Sequence, residues 1–217
     1  MDRVTVARAL RQPKAAAIAG LAFGLILATV LVLLQSTAPA TVAESAQWTA
    51  DLARRDAVVT ALTLIPFAGI AFLWFIAVVR SELGRREDRF FETVFLGSGL
   101  LFVAMLFAAA AVLSAVLALE DGGVTVSSDT AAASWALASA LIGQFGARMA
   151  AVFALVVSTA GRRVGSLPRP VAALGYLCGL LLLVTPPLPR WALLLFPLWV
   201  ITLSVLVLLR RPQVAEA

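Results

Sequence analysis

Histidine and asparagine are absent from this chain, and cysteine and lysine occur once each, as Cys178 and Lys14. The lack of histidine excludes bis-histidine haem, every catalytic triad that uses histidine, and most zinc sites. A single cysteine excludes an intrachain disulfide, and Cys178 lies in an apolar stretch where a buried, inert thiol is expected. No cofactor and no metal site is predicted. The scarcity of Asn and Lys beside abundant Ala, Val, Leu and Arg suggests a GC-rich bacterial genome.

Charge is also scarce. Only 13% of the 217 residues are charged while 62% are hydrophobic, and the mean hydropathy is +1.00. Soluble domains are about 25% charged and about 45–50% apolar. The composition therefore predicts an all-α, polytopic membrane protein. The net charge of +5 could suit nucleic acid, but the basic residues stand at the ends of apolar runs, where they act as topology signals, so no nucleic-acid partner is predicted.

Six apolar runs are predicted to be transmembrane helices of a single domain, residues 1–217. The runs are about 15–34, 57–79, 93–119, 132–160, 171–186 and 191–209. Twenty helical residues cross about 30 Å of hydrocarbon, which most of these runs achieve. The first run is longer than the roughly 7–15 apolar residues of a signal peptide, so we expect it to be retained as a span.

The basic residues set the expected orientation. With both termini in the cytoplasm, thirteen basic residues fall inside, three fall outside, and Arg148 is set aside as intramembrane. Those outside are Arg54, Arg55 and Arg190. The positive-inside rule therefore predicts a multi-pass protein of the plasma membrane with cytoplasmic N- and C-termini.

Two connecting segments carry additional predictions. Thr41 and Glu44 have the spacing of a capping box, which predicts a short amphipathic helix at the external interface with Trp48 at headgroup level; a substrate-facing lid is the alternative. The segment 80–92 has charges of both signs. It is either a solvated cytoplasmic connector or a loop that docks a partner.

Small residues recur at four-residue spacing on several spans and predict close helix packing. They include Gly20 and Gly24 in the first span, Gly143 and Ala147 in the fourth, and Gly175 and Gly179 in the fifth. Such ridges serve either contacts within the chain or contacts with a second copy or another membrane partner.

Arg148 is the only charged residue between positions 130 and 161. An arginine at the bilayer centre costs roughly 2.5–3.5 kcal/mol, so protein or ligand must supply compensating acceptors. Gln144 lies four residues earlier and shares its helix face. Together they predict a buried polar site.

The depth of this site can be estimated from the charges that end the spans. Arg148 lies fourteen residues before Arg162, and Pro66 lies fourteen residues before Arg80. Both should therefore lie about 21 Å from the cytoplasmic interface. The proline is expected to kink the second span.

A kink at Pro66 would free the carbonyl of Leu62, which together with Thr60 and Thr63 could face Arg148. The nearest carboxylate is Glu92, expected closer to the cytoplasm by roughly 15 Å. These residues form the predicted ligand-binding set with Arg148 and Gln144. The alternatives are that Arg148 caps carbonyls or pairs with Glu92 to fix packing, or that it extends to the membrane surface.

Three stretches carry a family resemblance: LIPFAGIAFLWFI at 64–76, GRREDRFFETVFLGSGLLF at 84–102, and RMAAVF at 148–153. They resemble a group of actinobacterial six-span integral membrane proteins. The resemblance covers most of residues 60–205 and implies the six-span topology. It implies no activity and no functional residue.

Three function classes follow. A binding, scaffold or accessory protein is favoured, with a polar site around Arg148 that holds an anionic lipid or a small anion. The alternative is a small transporter or channel-like protein with a midplane site at the Pro66 kink, against which stands the lack of an intramembrane acid. An enzyme is the least supported, because the spans offer no paired acids, histidine dyad or metal ligands.

Overall fold

The computed structural model describes residues 13–39, 41, 44, 51–83, 89–165, 167–184 and 190–209, and these form helices and connecting turns without a strand. The helices are α1 (Pro13–Thr37), α2 (Leu52–Leu83), α3 (Arg89–Asp121), α4 (Ser128–Ala140), a π-helical segment (Leu141–Gly146), α5 (Ala147–Arg163), α6 (Arg169–Val184), a 3-10 turn (Arg190–Leu194) and α7 (Leu195–Leu209).

Five helices in the described ranges are long and apolar enough to cross a membrane. They are Ala17–Thr37, Leu52–Arg80, Glu92–Asp121, Ser128–Arg163 and Trp191–Leu209, and the shorter apolar helix is Arg169–Val184. The expectation of an all-helical, polytopic membrane protein is confirmed at this level. Whether the shorter helix is a sixth span stays a prediction.

Helices α2 and α4 begin before the predicted apolar runs, and a polar residue, Asp51 or Ser127, caps the start of each. Asp51 precedes α2, and its Oδ1 accepts hydrogen bonds from the N–H groups of Ala53 and Arg54 at 3.0 and 3.3 Å. An aspartate in this position satisfies amides that a helix start leaves unpaired. Helix α2 thus begins five residues before the predicted start at 57.

The predicted external helix falls mostly outside the described residues. The Oγ1 of Thr41 accepts a hydrogen bond from the N–H of Glu44 at 3.2 Å, which is the expected capping contact. Positions 45–50, which include Trp48, and 84–88 of the charged connector are not among the described residues.

Phenylalanine rings from several helices pack against one another at the centre of the bundle. Phe23 of α1 lies 4.3 Å from Phe72 of α2, Phe72 lies 5.0 Å from Phe153 of α5, and Phe102 of α3 lies 5.1 Å from Phe196 of α7, between ring centroids. Lipid is as apolar as these side chains, so the association depends on close packing. Ring pairs of this kind add about 0.5–1.5 kcal/mol each.

The glycines of α1 and α6 allow neighbouring helices to approach closely. A Cβ on Gly20 or Gly24 would lie 2.1 Å from Ser204 Oγ or 2.5 Å from Ile201 Cγ1, both on α7. Gly175 and Gly179 of α6 face α5 in the same way. These four glycines therefore serve contacts within the chain.

The ridge on the fourth span divides in two. Ala147 is buried, but a Cβ on Gly143 would meet nothing within 4 Å among the described residues. At Ala147 the ridge thus packs inside the bundle. At Gly143 it has no neighbouring helix in contact among the described residues.

Helices α2 and α3 are joined by an ion pair at each end. Arg55 pairs with Asp121, and Arg80 pairs with Glu92. Such exposed pairs contribute little to stability. They do, however, occupy the carboxylates of Asp121 and Glu92, which are therefore not available to other cations.

Candidate anion site at Arg148

The fourth span changes helical register one turn before Arg148. Residues Leu141–Gly146 are π-helical, and the N–H of Ala147 reaches back to the carbonyl of Ile142 as well as that of Gln144. A Cβ on Gly146 would lie 3.0 Å from the carbonyl oxygen of Leu141, so this turn leaves little room for a side chain at that position. Single π-helical turns inside α-helices are frequent at functional sites.

Arg148 makes one hydrogen bond to the described part of the chain. Its Nη1 donates to the main-chain carbonyl of Gln144 at 2.8 Å, and the residue is partly exposed. A guanidinium carries five N–H donors. Within the described chain Arg148 makes no ion pair and no further hydrogen bond, so four donors are without a protein acceptor.

Gln144 supplies the carbonyl rather than the side chain. Its side chain is exposed, and its amide group makes no hydrogen bond to the described residues. Because Gln144 and Arg148 are four apart, the free amide and the guanidinium share one face. Together they present N–H donors that can bind oxygen atoms of an anion.

The carbonyl that Arg148 bonds also accepts a hydrogen bond from the N–H of Ala147, so the backbone and the side chain share it. The Arg148 side chain bonds a carbonyl at the junction of the π segment with α5. One of the structural roles considered for Arg148, capping an internal carbonyl, is therefore present, although it uses one donor only.

The structure does not bring the residues around Pro66 to Arg148. Thr60 and Thr63 are exposed and donate to carbonyls of their own helix, those of Asp56 and Val59, at 2.8 Å. Pro66 is exposed as well, and it lies within the continuous helix α2. Threonine hydroxyls in helices commonly bond the carbonyl four residues earlier.

The π segment packs chiefly against α3 and its own flanking helices, not against α2. A Cβ on Gly146 would lie 3.5 Å from Met105 Cβ, while Gly69, one turn after Pro66, faces Phe107. The prediction that Thr60, Thr63 and Pro66 lie near Arg148 assumed that α2 packs beside this part of the fourth span. In the structure, α3 packs there instead.

Glu92 already forms an ion pair with another residue. Its carboxylate pairs with Arg80, so it is not the partner of Arg148. Of the predicted ligand-binding set, the structure joins only Arg148 and Gln144. The ligand role of the set stays a prediction.

Two polar side chains that the sequence did not single out have buried polar atoms with no hydrogen-bond partner among the described residues: the amide of Gln35 and the hydroxyl of Ser158. Ser158 faces Gly175, where a Cβ would lie 2.0 Å from its Oγ. A lone glutamine or serine in an apolar span gives no sequence signal of this kind. The π segment was also missed, although two glycines beside a glutamine in a span could have indicated it.

Comparison with known proteins gives no relative: no family model, curated protein or solved structure matches this chain.

Proposed function

We propose that this chain is a six-span plasma-membrane protein with cytoplasmic termini, and that it binds an anion at Arg148 as a binding or accessory protein. The observation that carries the proposal is that an arginine inside a membrane-spanning helix makes a single hydrogen bond to the residues that the structure describes. The anion is a phosphate or carboxylate, from a lipid headgroup or a small molecule.

The unused donors support an added partner. Placing arginine within the hydrocarbon core costs up to roughly 2.5–3.5 kcal/mol, the value at the bilayer centre. A hydrogen bond from a charged group to a neutral carbonyl returns about 1.5–3 kcal/mol at best. The unpaired donors remain, and phosphate or carboxylate oxygens can accept two parallel N–H bonds from one guanidinium.

The six-span topology is supported by the apolar helix Arg169–Val184 and by the distribution of basic residues. An even number of spans leaves both termini on one side. The thirteen basic residues counted with the termini then face the cytoplasm.

A transport site at the Pro66 kink has less support. Thr60, Thr63 and Pro66 are exposed on the outside of the bundle, and both threonine hydroxyls are satisfied within α2. A midplane transport site is expected to lie between helices rather than on their outer face.

Native mass spectrometry of purified protein tests the anion site. We expect wild type to retain an anionic lipid or metabolite, Arg148→Ala to lose it, and Arg148→Lys to retain less, because lysine keeps the charge but loses the bidentate geometry. The matched control is Arg162→Ala, which removes an exposed arginine at the end of the same span.

Equal retention by wild type and Arg148→Ala would refute the proposal. Size-exclusion profiles establish that each variant is folded. If Arg148→Ala fails to accumulate, Arg148→Lys and Arg162→Ala still give the comparison.

A further inference from the structure

Helix α6 runs antiparallel to α5, and their contacts fix its depth relative to Arg148. Gly175 faces Ser158, while Gly179, one turn later, faces Leu155 and the carbonyl of Ala151. Leu182 and Ala147 then line one apolar crevice. Arg148 is therefore level with the last turn of α6, which ends at Val184.

Helix α6 is short for a membrane span. Helix α6 has 16 residues and is about 24 Å long, some 6 Å less than a typical hydrocarbon core. A span that is too short thins the bilayer beside it. The fourth span, with 36 residues, continues about twenty residues beyond Arg148 on the external side.

The position of Trp191 also indicates that the external headgroups lie near the end of α6. This tryptophan begins the last span, it is 57% exposed, and the neighbouring Leu193 lines the crevice shared by Ala147 and Leu182. Exposed tryptophans of membrane proteins concentrate at the headgroup level. On the α6 side, an interfacial residue and the last turn of the helix thus lie at the level of Arg148, while Leu27 and Leu106, which line the same crevice, lie near the middles of α1 and α3.

The Arg148 side chain is directed toward the same side. Helical side chains lean toward the N-terminus of their helix, and the bond to the carbonyl of Gln144 fixes Arg148 in that direction. The N-terminal end of the fourth span is external in the proposed topology. Gln144 lies one turn further outward still.

We infer that the Arg148 site, if it binds an anion as proposed above, takes the phosphate of a phospholipid from the external leaflet. The short helix α6 lowers the external headgroups beside it, and the guanidinium and the Gln144 amide meet the phosphate there. The ligand class is an anionic phospholipid, not a free anion.

Cysteine accessibility tests the route from outside. In a Cys178→Ala background, Arg148→Cys and Gln144→Cys are treated in intact cells with a membrane-impermeant, charged thiosulfonate. The controls are Asp129→Cys at the external end of the span and Leu177→Cys, a residue of α6 that is 54% exposed but lies deeper. Labelling requires a thiolate and therefore water.

We expect both test cysteines to react roughly tenfold or more faster than the Leu177→Cys control. Gln144→Cys keeps Arg148 and remains informative if Arg148→Cys does not fold. Test cysteines that react no faster than Leu177→Cys, or that react faster from the cytoplasmic side of inverted vesicles, would overturn the inference.

Reconstitution identifies the source of the anion. Wild type is placed in phosphatidylcholine nanodiscs of short, medium or long chains with a fixed fraction of phosphatidylglycerol, and bound phosphatidylglycerol is measured by native mass spectrometry. Retention should fall several-fold from the short to the long chains, because a thicker bilayer raises the headgroups. Retention independent of thickness, or displacement by inorganic phosphate, would overturn it.

The two failures are distinguishable. If wild type retains no anion of any kind, the proposed function fails. If it retains an anion that inorganic phosphate displaces, the proposed function stands and the external phospholipid is wrong.

Discussion

Arg148 lies in an apolar span, where the described residues offer its five donors one neutral acceptor, the carbonyl of Gln144. The sequence predicted that the residue needs acceptors, since the cost of a buried charge depends on residue type and on the length of the surrounding run. It did not predict which acceptor. That choice depends on a local change of backbone register and on which helix packs beside Arg148, and neither is encoded in span lengths.

At the scale of single residues, Glu92→Gln should reduce ligand retention less than Arg148→Ala does. Glu92 pairs with Arg80 at the exposed end of α2 and α3, and breaking an exposed pair costs at most about 1 kcal/mol. Native mass spectrometry of the two variants makes the comparison. Equal losses, rescued by exchanging the two charges, would mean that Arg148 and Glu92 form a pair.

Thr60→Val and Thr63→Val should leave anion retention at the wild-type level. Both hydroxyls donate to carbonyls of α2, and valine keeps the shape of the side chain. The same retention assay tests this expectation. A loss in either variant comparable to that of Arg148→Ala would return the α2 threonines to the site.

Within the fourth span, the π segment leaves less room for a side chain at Gly146 than at Gly143. A Cβ on Gly146 would crowd the Leu141 carbonyl at 3.0 Å, whereas a Cβ on Gly143 would meet nothing within 4 Å. Periodicity cannot distinguish these two glycines, because both stand in one apolar run. Only the backbone path separates them.

Gly146→Ala should therefore lower the free energy of unfolding by about 1–3 kcal/mol and weaken anion retention. Gly143→Ala, the matched control, should leave stability unchanged or raise it by up to about 1 kcal/mol. Thermal unfolding in detergent, followed by circular dichroism, gives both values. Equal effects of the two substitutions would contradict a special role for the π turn.

The contact between α5 and α6 offers a second comparison of glycines. A Cβ on Gly175 would lie 2.0 Å from Ser158 Oγ and 2.7 Å from the Nε1 of Trp199, whereas one on Gly97 would meet nothing within 4 Å. We expect Gly175→Ala to destabilise the protein by about 1–3 kcal/mol and Gly97→Ala to be tolerated. An unfolding curve for Gly175→Ala that matches wild type would show that α6 is not packed as described.

The whole molecule is a helical bundle of uneven thickness. Its second, third and fourth membrane helices have 29, 30 and 36 residues, while the last has 19 and α6 has 16. The sequence predicted the apolar helices well, because a run of about twenty apolar residues has few other stable forms. It did not predict the early starts of α2 and α4, which Asp51 and Ser127 cap, or the group of phenylalanine rings at the centre, which depends on how distant helices pack.

Topology reporters decide how many spans there are. Alkaline phosphatase or fluorescent-protein fusions after Asp121 should report an external position, and fusions after Arg163 and at the C-terminus a cytoplasmic one. A cytoplasmic position after Arg163 with an external C-terminus would mean that only one of the two following helices crosses. Six spans would then be wrong, and the bilayer beside α6 would need another description.

The most direct measurement is an experimental density map of the wild-type protein in nanodiscs that contain an anionic phospholipid. We predict headgroup density about 2.7–2.9 Å from the guanidinium nitrogens of Arg148, on the external side and beside the last turn of α6. A guanidinium whose remaining donors all meet protein oxygens, with no lipid or anion beside it, would contradict the account.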